Sequence, residues 1–88
     1  MKLKILTPEK LVLERDVESV TMPGKAGQLT ALAGHDLLLT ELSAGKLYFR
    51  WTDKEGKPQR EDYEIGPGLT EVTKDAARMF VSEARKSS

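Results

Sequence analysis

The sequence predicts an all-β domain, an antiparallel flattened β-sandwich or barrel of about eight to ten short strands. Three observations lead there. Apolar and polar residues alternate with a period of two in several short segments; turn signals recur every several residues; and no stretch carries the apolar stripe of a long amphipathic helix.

The elements follow in chain order. Lys2-Leu3-Lys4-Ile5 alternates as a strand with one face buried, and Thr7-Pro8-Glu9 breaks it with a turn. Leu11-Val12-Leu13 and the run from Val17 to Met22 read as two short strands around the charged turn Glu14-Arg15-Asp16, ended by Pro23-Gly24. A helix from Glu9 to Val20, opened by Pro8, competes with this reading. The β-branched Val17-Glu18-Ser19-Val20-Thr21 run favours strand. Gly24 and Gly27 permit a tight turn, and residues 33–36 (Ala-Gly-His-Asp) form another. The leucines of Leu37-Leu38-Leu39-Thr40-Glu41-Leu42 predict a buried strand covered on both faces, closed by Ser43-Ala44-Gly45.

Leu47, Phe49 and Trp51 alternate with Lys46, Tyr48 and Arg50 in the clearest strand of the chain. Residues 53–58 make a polar hairpin tip, and the return strand runs from about Gln59 to Ile65. Gly66-Pro67-Gly68 is the next break, followed by strands at Leu69 to Val72 and Ala76 to Val81. Residues 1–82 are read as the β domain and 83–88 as a polar tail, a frayed end or one helical turn.

Composition bounds the function. With 88 residues, 39% hydrophobic and 32% charged, the chain suits one domain with a thin core. A core of this size gives modest stability, so contacts with an assembly are expected to contribute. Fourteen basic residues balance 14 acidic ones, so no net field draws nucleic acid or anionic lipid to the whole surface. Cysteine is absent, which excludes disulfides and thiol catalysis. No segment has the apolar run of a signal peptide or membrane span.

No constellation of catalytic residues emerges. His35 is the sole histidine, and its neighbour Asp36 cannot orient it as a catalytic partner, because adjacent residues on an extended chain point to opposite faces. One histidine and no cysteine leave only scattered carboxylates for a metal. Gly24-Lys25-Ala26-Gly27 lacks the Lys-Ser/Thr pair and helix of a phosphate loop, so its glycines serve turns. Tyr48, Phe49, Trp51 and Tyr63 beside Arg50 and Arg60 suggest a stacking surface for single-stranded nucleic acid. With 6% aromatic residues and one tryptophan, Phe49 and Trp51 are needed for the core instead. A free-standing small β-barrel that binds a ligand or nucleic acid is the alternative reading.

A family resemblance narrows this further. Lys4-Ile5-Leu6-Thr7-Pro8-Glu9 resembles the opening strand and TPE turn of the epsilon subunits of F-type ATP synthase, and Val17 to Gly24 resembles the strand that follows. The run from Gly27 through Thr40 is similar to the family's GE-F/L-GILPGHAPLLT segment, coinciding at Gly27, Gly34, His35, Leu38, Leu39 and Thr40. Ser43-Ala44-Gly45-Lys46-Leu47 and Gly66-Pro67-Gly68-Leu69-Thr70-Glu71-Val72 resemble two later motifs in the same order. The chain departs from the pattern at Gln28, Thr30, Ala33 and Asp36-Leu37, where glutamate, glycine, proline and Ala-Pro are usual.

The resemblance implies a non-catalytic rotor subunit of the central stalk. It would bind the gamma subunit and the c-subunit ring and sit peripherally, through the complex, on the cytoplasmic face of the inner energy-transducing membrane. It implies no cofactor, metal, small-molecule substrate, nucleic acid or direct membrane insertion. By position, Gln28 and its neighbours, Leu29 among them, are expected at the c-ring contact, Thr7, His35 and Thr40 near the gamma surface, and Gly34 is expected to bind a partner as well. The family's carboxy-terminal pair of ATP-responsive helices is expected to be missing, since the sequence ends at Ser88.

Overall fold

The computed structural model describes residues 1–34 and 37–87. Among the described residues ten strands follow one another: β1 (Lys2–Leu6), β2 (Leu11–Asp16), β3 (Ser19–Gly24), β4 (Gly27–Leu32), β5 (Leu38–Leu42), β6 (Gly45–Thr52), β7 (Pro58–Ile65), β8 (Gly68–Val72), β9 (Ala76–Val81) and β10 (Ala84–Ser87). They join in the order β10-β7-β6-β3-β5-β8-β9-β1-β2, with β4 on the free side of β3. The fold is all-β, as the alternation predicts. Every pairing is antiparallel except β1 with β9, which lie parallel from Lys2↔Ala76 to Leu6↔Phe80.

The sheet folds over at β3. Its residues Ser19 to Thr21 pair with β6, while Gly24 reaches Leu42 of β5. Pro23 lacks a donor but still accepts from the Ser43 N–H at 2.8 Å, and the Lys25 N–H donates to the Glu41 carbonyl at 3.0 Å. The two layers enclose a core of Leu3, Ile5, Val20, Met22, Leu47, Phe49, Val72, Ala77 and Met79, all fully buried. Each comes from the inward phase of its strand, so burial and the period of two agree.

Three segments differ from the sequence reading. Glu14-Arg15-Asp16 is not a turn: it continues β2, and the turn falls at Val17 and Glu18. Opposite charges across the β1–β2 pair hold this extension, with Lys2 Nζ 3.8 Å from Glu14 and 3.7 Å from Asp16. Arg15 turns inward instead, its guanidinium 4.4 Å from the Trp51 ring centre and 2.8 Å from the Glu61 carboxylate. This contact joins β2 to β7 across the rim of the sandwich, where no backbone ladder connects them.

The polar end forms neither a fray nor a helical turn over 84–87. It is β10, pairing with β7 from Ala84↔Ile65 to Ser87↔Asp62. Finally, the leucine run that leads into and through β5 is not covered on both faces. Leu42 is buried, but Leu37 is 75% exposed and Leu39 is 71% exposed.

Strand directions sort the turns. Residues 7–10, 25–26, 43–44, 66–67 and 82–83 gather at one end, and residues 17–18, 33–34, 53–57 and 73–75 at the other. The first group is called the hairpin end below.

Candidate partner-binding face

The outward face of β5, β8, β9, β1 and β2 is not uniformly polar. Cross-strand register places Leu69 opposite Phe80, Phe80 opposite Leu6, and Leu6 opposite Leu11. Leu69, Phe80 and Leu6 form one transverse row over three neighbouring strands, and Leu11 extends it onto β2 across a register shift between Ile5 and Leu6. At a strand spacing of about 4.8 Å the row runs roughly 14 Å. Phe80 is 49% exposed, and Leu69 and Leu11 are 48% exposed each. Glu41 continues the row beyond Leu69, and its carboxylate accepts from Lys25 Nζ at 3.1 Å.

The next row toward the opposite end reads Leu39, Glu71, Arg78, Lys4 and Glu14. Arg78 Nη1 donates to Glu71 at 3.2 Å. The face is therefore divided, apolar near the hairpin end and charged away from it. Two open depressions border the apolar row. One, of about 530 Å3, is lined by Lys25, Ala26, Leu39, Thr40, Glu41 and Leu69. The other, of about 360 Å3, is lined by Leu6, Thr7, Pro8, Phe80, Val81 and Ser82.

Backbone contacts fix this surface closely. Gly68 sits opposite Val81, and a Cβ there would collide with the Phe80 carbonyl oxygen. The absent side chain lets β8 and β9 approach where Leu69 and Phe80 must share one row. Thr70, fully buried on the inner side, donates to the Arg78 carbonyl at 3.2 Å, tying the same two strands together.

The residues carried by resemblance distribute as follows. Thr7 and Thr40 line the two depressions beside the apolar row. Gln28 is exposed, opposite Pro23 and next to the Lys25–Ala26 turn at the hairpin end. Leu29 is half-buried and packs against the core. Gly34 lies at the other end, its N–H donating to the Lys74 carbonyl at 3.3 Å. His35 lies outside the described residues.

Sequence reasoning missed Leu6, Leu11, Leu69 and Phe80 as a surface, having assigned them simply to strands. A signal was present. Met79-Phe80-Val81 is apolar in both phases of a strand, whereas a strand with one wet face should alternate.

The other layer is polar outside. Tyr48 stands between guanidinium groups, Arg60 at 3.8 Å and Arg50 at 5.5 Å from its ring centre. Its phenol is held below the usual range by the Thr21 hydroxyl and then by the charges of Arg60 and Arg50. Arg60 is engaged twice by Asp62, at 2.8 and 3.0 Å. Phe49 is fully buried and stacks with Trp51 at 5.7 Å and Tyr63 at 5.9 Å, so these rings serve the core. The stacking platform required for single-stranded nucleic acid is thus reduced to Tyr48 on this face.

Comparison with known proteins supplies the family. The family model described as ATP synthase, Delta/Epsilon chain, beta-sandwich domain matches residues 1–87. An ATP synthase epsilon chain from Hydrogenobaculum sp. is 34% identical over 84 residues, covering 96% of this chain and 57% of the relative. An ATP synthase epsilon chain from Rippkaea orientalis is 33% identical over 84 residues, covering 96% and 58%. The chain therefore spans a little over half the length of these relatives.

Among solved structures, a chain of the Euglena gracilis mitochondrial ATP synthase assembly of OSCP, F1 and c-ring has the same fold, with a TM-score of 0.82 at 22% identity. The match covers 96% of this chain and 51% of that one. A chain of the Tetrahymena thermophila mitochondrial ATP synthase central stalk and c-ring matches with a TM-score of 0.77 at 22% identity, covering 97% and 65%. A match along almost all of this sequence decides the assignment: the chain belongs to the ATP synthase delta/epsilon β-sandwich family.

Proposed function

We propose that this chain is a non-catalytic central-stalk subunit of an F-type ATP synthase, binding the gamma subunit and the c-subunit ring and so coupling proton flow to ATP synthesis. The observation that carries this reading is the apolar row Leu69, Phe80, Leu6 and Leu11 on the outer face of a family β-sandwich. A row of half-exposed leucine and phenylalanine side chains gains free energy when another protein covers it. In this reading the row, flanked by Thr7 and Thr40, takes the gamma subunit. Gln28 and the adjoining turn at the hairpin end meet the polar loops of the c-ring.

The role needs stiffness rather than bond-making chemistry. Torque passes through a body whose layers resist shear, and the continuous ladders from β10 to β2 with a packed core supply that. Two separate contact surfaces, a sheet face and a turn cluster, let one rigid body join two partners. Association with the membrane then comes through the c-ring, placing the chain peripherally on the cytoplasmic face of the energy-transducing membrane.

The test is separable by surface. Replacing Phe80 and Leu69 by serine should abolish capture by the gamma subunit while leaving the fold, since both side chains are half-exposed. Replacing Gln28 should leave gamma binding intact and weaken attachment to the c-ring. Unchanged gamma binding by the Phe80/Leu69 variant would reject the assignment of this face.

A further inference from the structure

β4 lies in the middle of the sequence and leaves one edge uncovered. It pairs only with β3, from Ser19↔Leu32 to Gly24↔Gly27, and among the described residues no strand lies on its other side. The phase of the ladder shows which groups face outward. The Ala33 N–H donates to the Glu18 carbonyl at 3.2 Å, whereas Pro23, opposite Gln28, has no N–H and turns its carbonyl away to the Ser43 N–H at 2.8 Å. Alternation therefore aims Leu29 and Ala31 at β3, and the backbone N–H and C=O of Gln28, Thr30 and Leu32 away from it. Among the described residues these outward groups meet no other backbone. All three residues are exposed, Leu32 by 57%.

This edge lacks the usual protection. Strands at the margin of a sheet carry charges, bulges or proline that keep other strands off. β2 and β10, at the two ends of the strand order, carry Glu14-Arg15-Asp16 and Arg85-Lys86. β4 reads Gly-Gln-Leu-Thr-Ala-Leu, with neither charge nor proline. Absence of charge makes the strand compatible with itself. Turned about a two-fold axis at Thr30, Gln28 of one copy faces Leu32 of the other, Leu29 faces Ala31, and Thr30 faces Thr30. In that register every outward group of Gln28, Thr30 and Leu32 meets a complementary group of the other copy. The side chains agree with it. Thr21 and Thr30 place their hydroxyl oxygens 2.8 Å apart on the outer face, and the axis continues this hydroxyl row into the second copy. On the inner face the half-buried Leu29 gains an alanine beside it.

From this edge we propose that β4 pairs antiparallel with β4 of a second copy of this chain, about a two-fold axis at Thr30, joining two sandwiches edge to edge. The contact spans five residues of each copy, about 17 Å at about 3.4 Å per residue. It falls below the roughly 1,000 Å2 of a stable interface, so the pair is weak and forms in concentrated solution. Gln28 is covered in the pair, so self-pairing and any other contact through Gln28 exclude one another.

Sedimentation of the whole chain over a concentration series tests this. From about 10 μM to about 1 mM the average mass should rise toward twice that of the monomer. Thr30→Lys and Thr30→Glu each set like charges against one another on the axis and should keep the chain monomeric, and an equimolar mixture of the two should associate again. Amide resonances of Gln28, Thr30 and Leu32 in the unsubstituted chain should shift with concentration while those of β8 and β9 stay in place, a reading that needs no variant. A chain still monomeric at about 1 mM would overturn the proposal, as would association that survives Thr30→Lys. A mixture of the lysine and glutamate variants that stays monomeric would overturn the register. Protection of the β4 amides only on adding the gamma subunit, the chain alone being monomeric, would give the edge to a strand of that partner and overturn self-pairing.

Discussion

Phe80→Ala is the sharpest perturbation of the proposed docking face. The side chain is 49% exposed in the free domain. A phenylalanine presents roughly 200 Å2, so a covering partner removes roughly 100 Å2 of apolar surface from water. At about 25 cal/mol per Å2 this contributes about 2.5 kcal/mol, of which alanine retains a small part, leaving a loss of about 2 kcal/mol. The dissociation constant for the gamma subunit should rise about 30-fold. The buried half of the ring also supports the fold, so a loss of about 1 kcal/mol and a fall in Tm of about 4–8 °C are expected, without unfolding. Calorimetric titration against gamma measures the first effect, and a circular dichroism melt the second. Arg78→Ala, in the adjacent charged row, serves as the control and should change affinity only slightly. A folded Phe80→Ala domain that binds gamma within two-fold of the parent would refute the reasoning.

Other outcomes follow from single contacts. Arg15→Ala removes both a stacked cation over Trp51 and the partner of a largely enclosed carboxylate. The expected cost is about 2–3 kcal/mol. A double-mutant cycle with Glu61→Gln in thermal melts should show marked non-additivity, and simple additivity would mean that the rim contact contributes nothing. Gly68→Ala places a Cβ against the Phe80 carbonyl, which cannot swing away like a side chain, so about 1–3 kcal/mol of stability should be lost in urea unfolding. An unchanged midpoint would contradict that close approach.

Acid should also destabilise the domain. The Asp53 carboxyl is held low by the Lys57 N–H and then by Gln59 and the Glu55 N–H, and the Asp62 carboxyl by Arg60. Their contribution is present above the ordinary carboxylate value of about 4 and lost as pH falls through the lower folded values. Asp53→Asn and Asp62→Asn should each flatten the acid limb of a Tm-against-pH curve. At the alkaline end Tyr63, raised by burial and then by the Glu61 charge, works in the opposite sense, its contribution being lost as pH rises above about 10. Tyr63→Phe should soften that limb.

Local patterning revealed most of the strands but little of what covers them. β6 was legible because Leu47, Phe49 and Trp51 keep strict phase, and the hairpin that follows is set by Asp53, which accepts the Glu55 and Lys57 N–H groups at 2.9 Å each. The end of β2 was not legible. Arg15 reads as turn material until Trp51 and Glu61, far away in sequence, give its charge and stem a place. β10 was hidden for a similar reason: Ala84 to Ser87 has no strand pattern of its own and is extended because β7 offers an edge. The leucines at and just before β5 misled in the other direction. An apolar run signals coverage, and Leu37 and Leu39 lack it within this chain. Thr7 and Thr40 were placed by family motif, while the row between them needed the register of four strands, which no local pattern contains.

The central claim, a coupling subunit of the rotor, is tested most directly in membrane vesicles bearing the ATP synthase of the same source stripped of its own epsilon chain. Adding this chain should restore ATP-driven proton pumping, measured by quenching of a pH-sensitive dye, and the chain should sediment with the gamma subunit and c-ring. The Phe80/Leu69 double serine variant should do neither. Vesicles in which the chain fails to sediment with the complex and pumping stays at the depleted level would contradict the account.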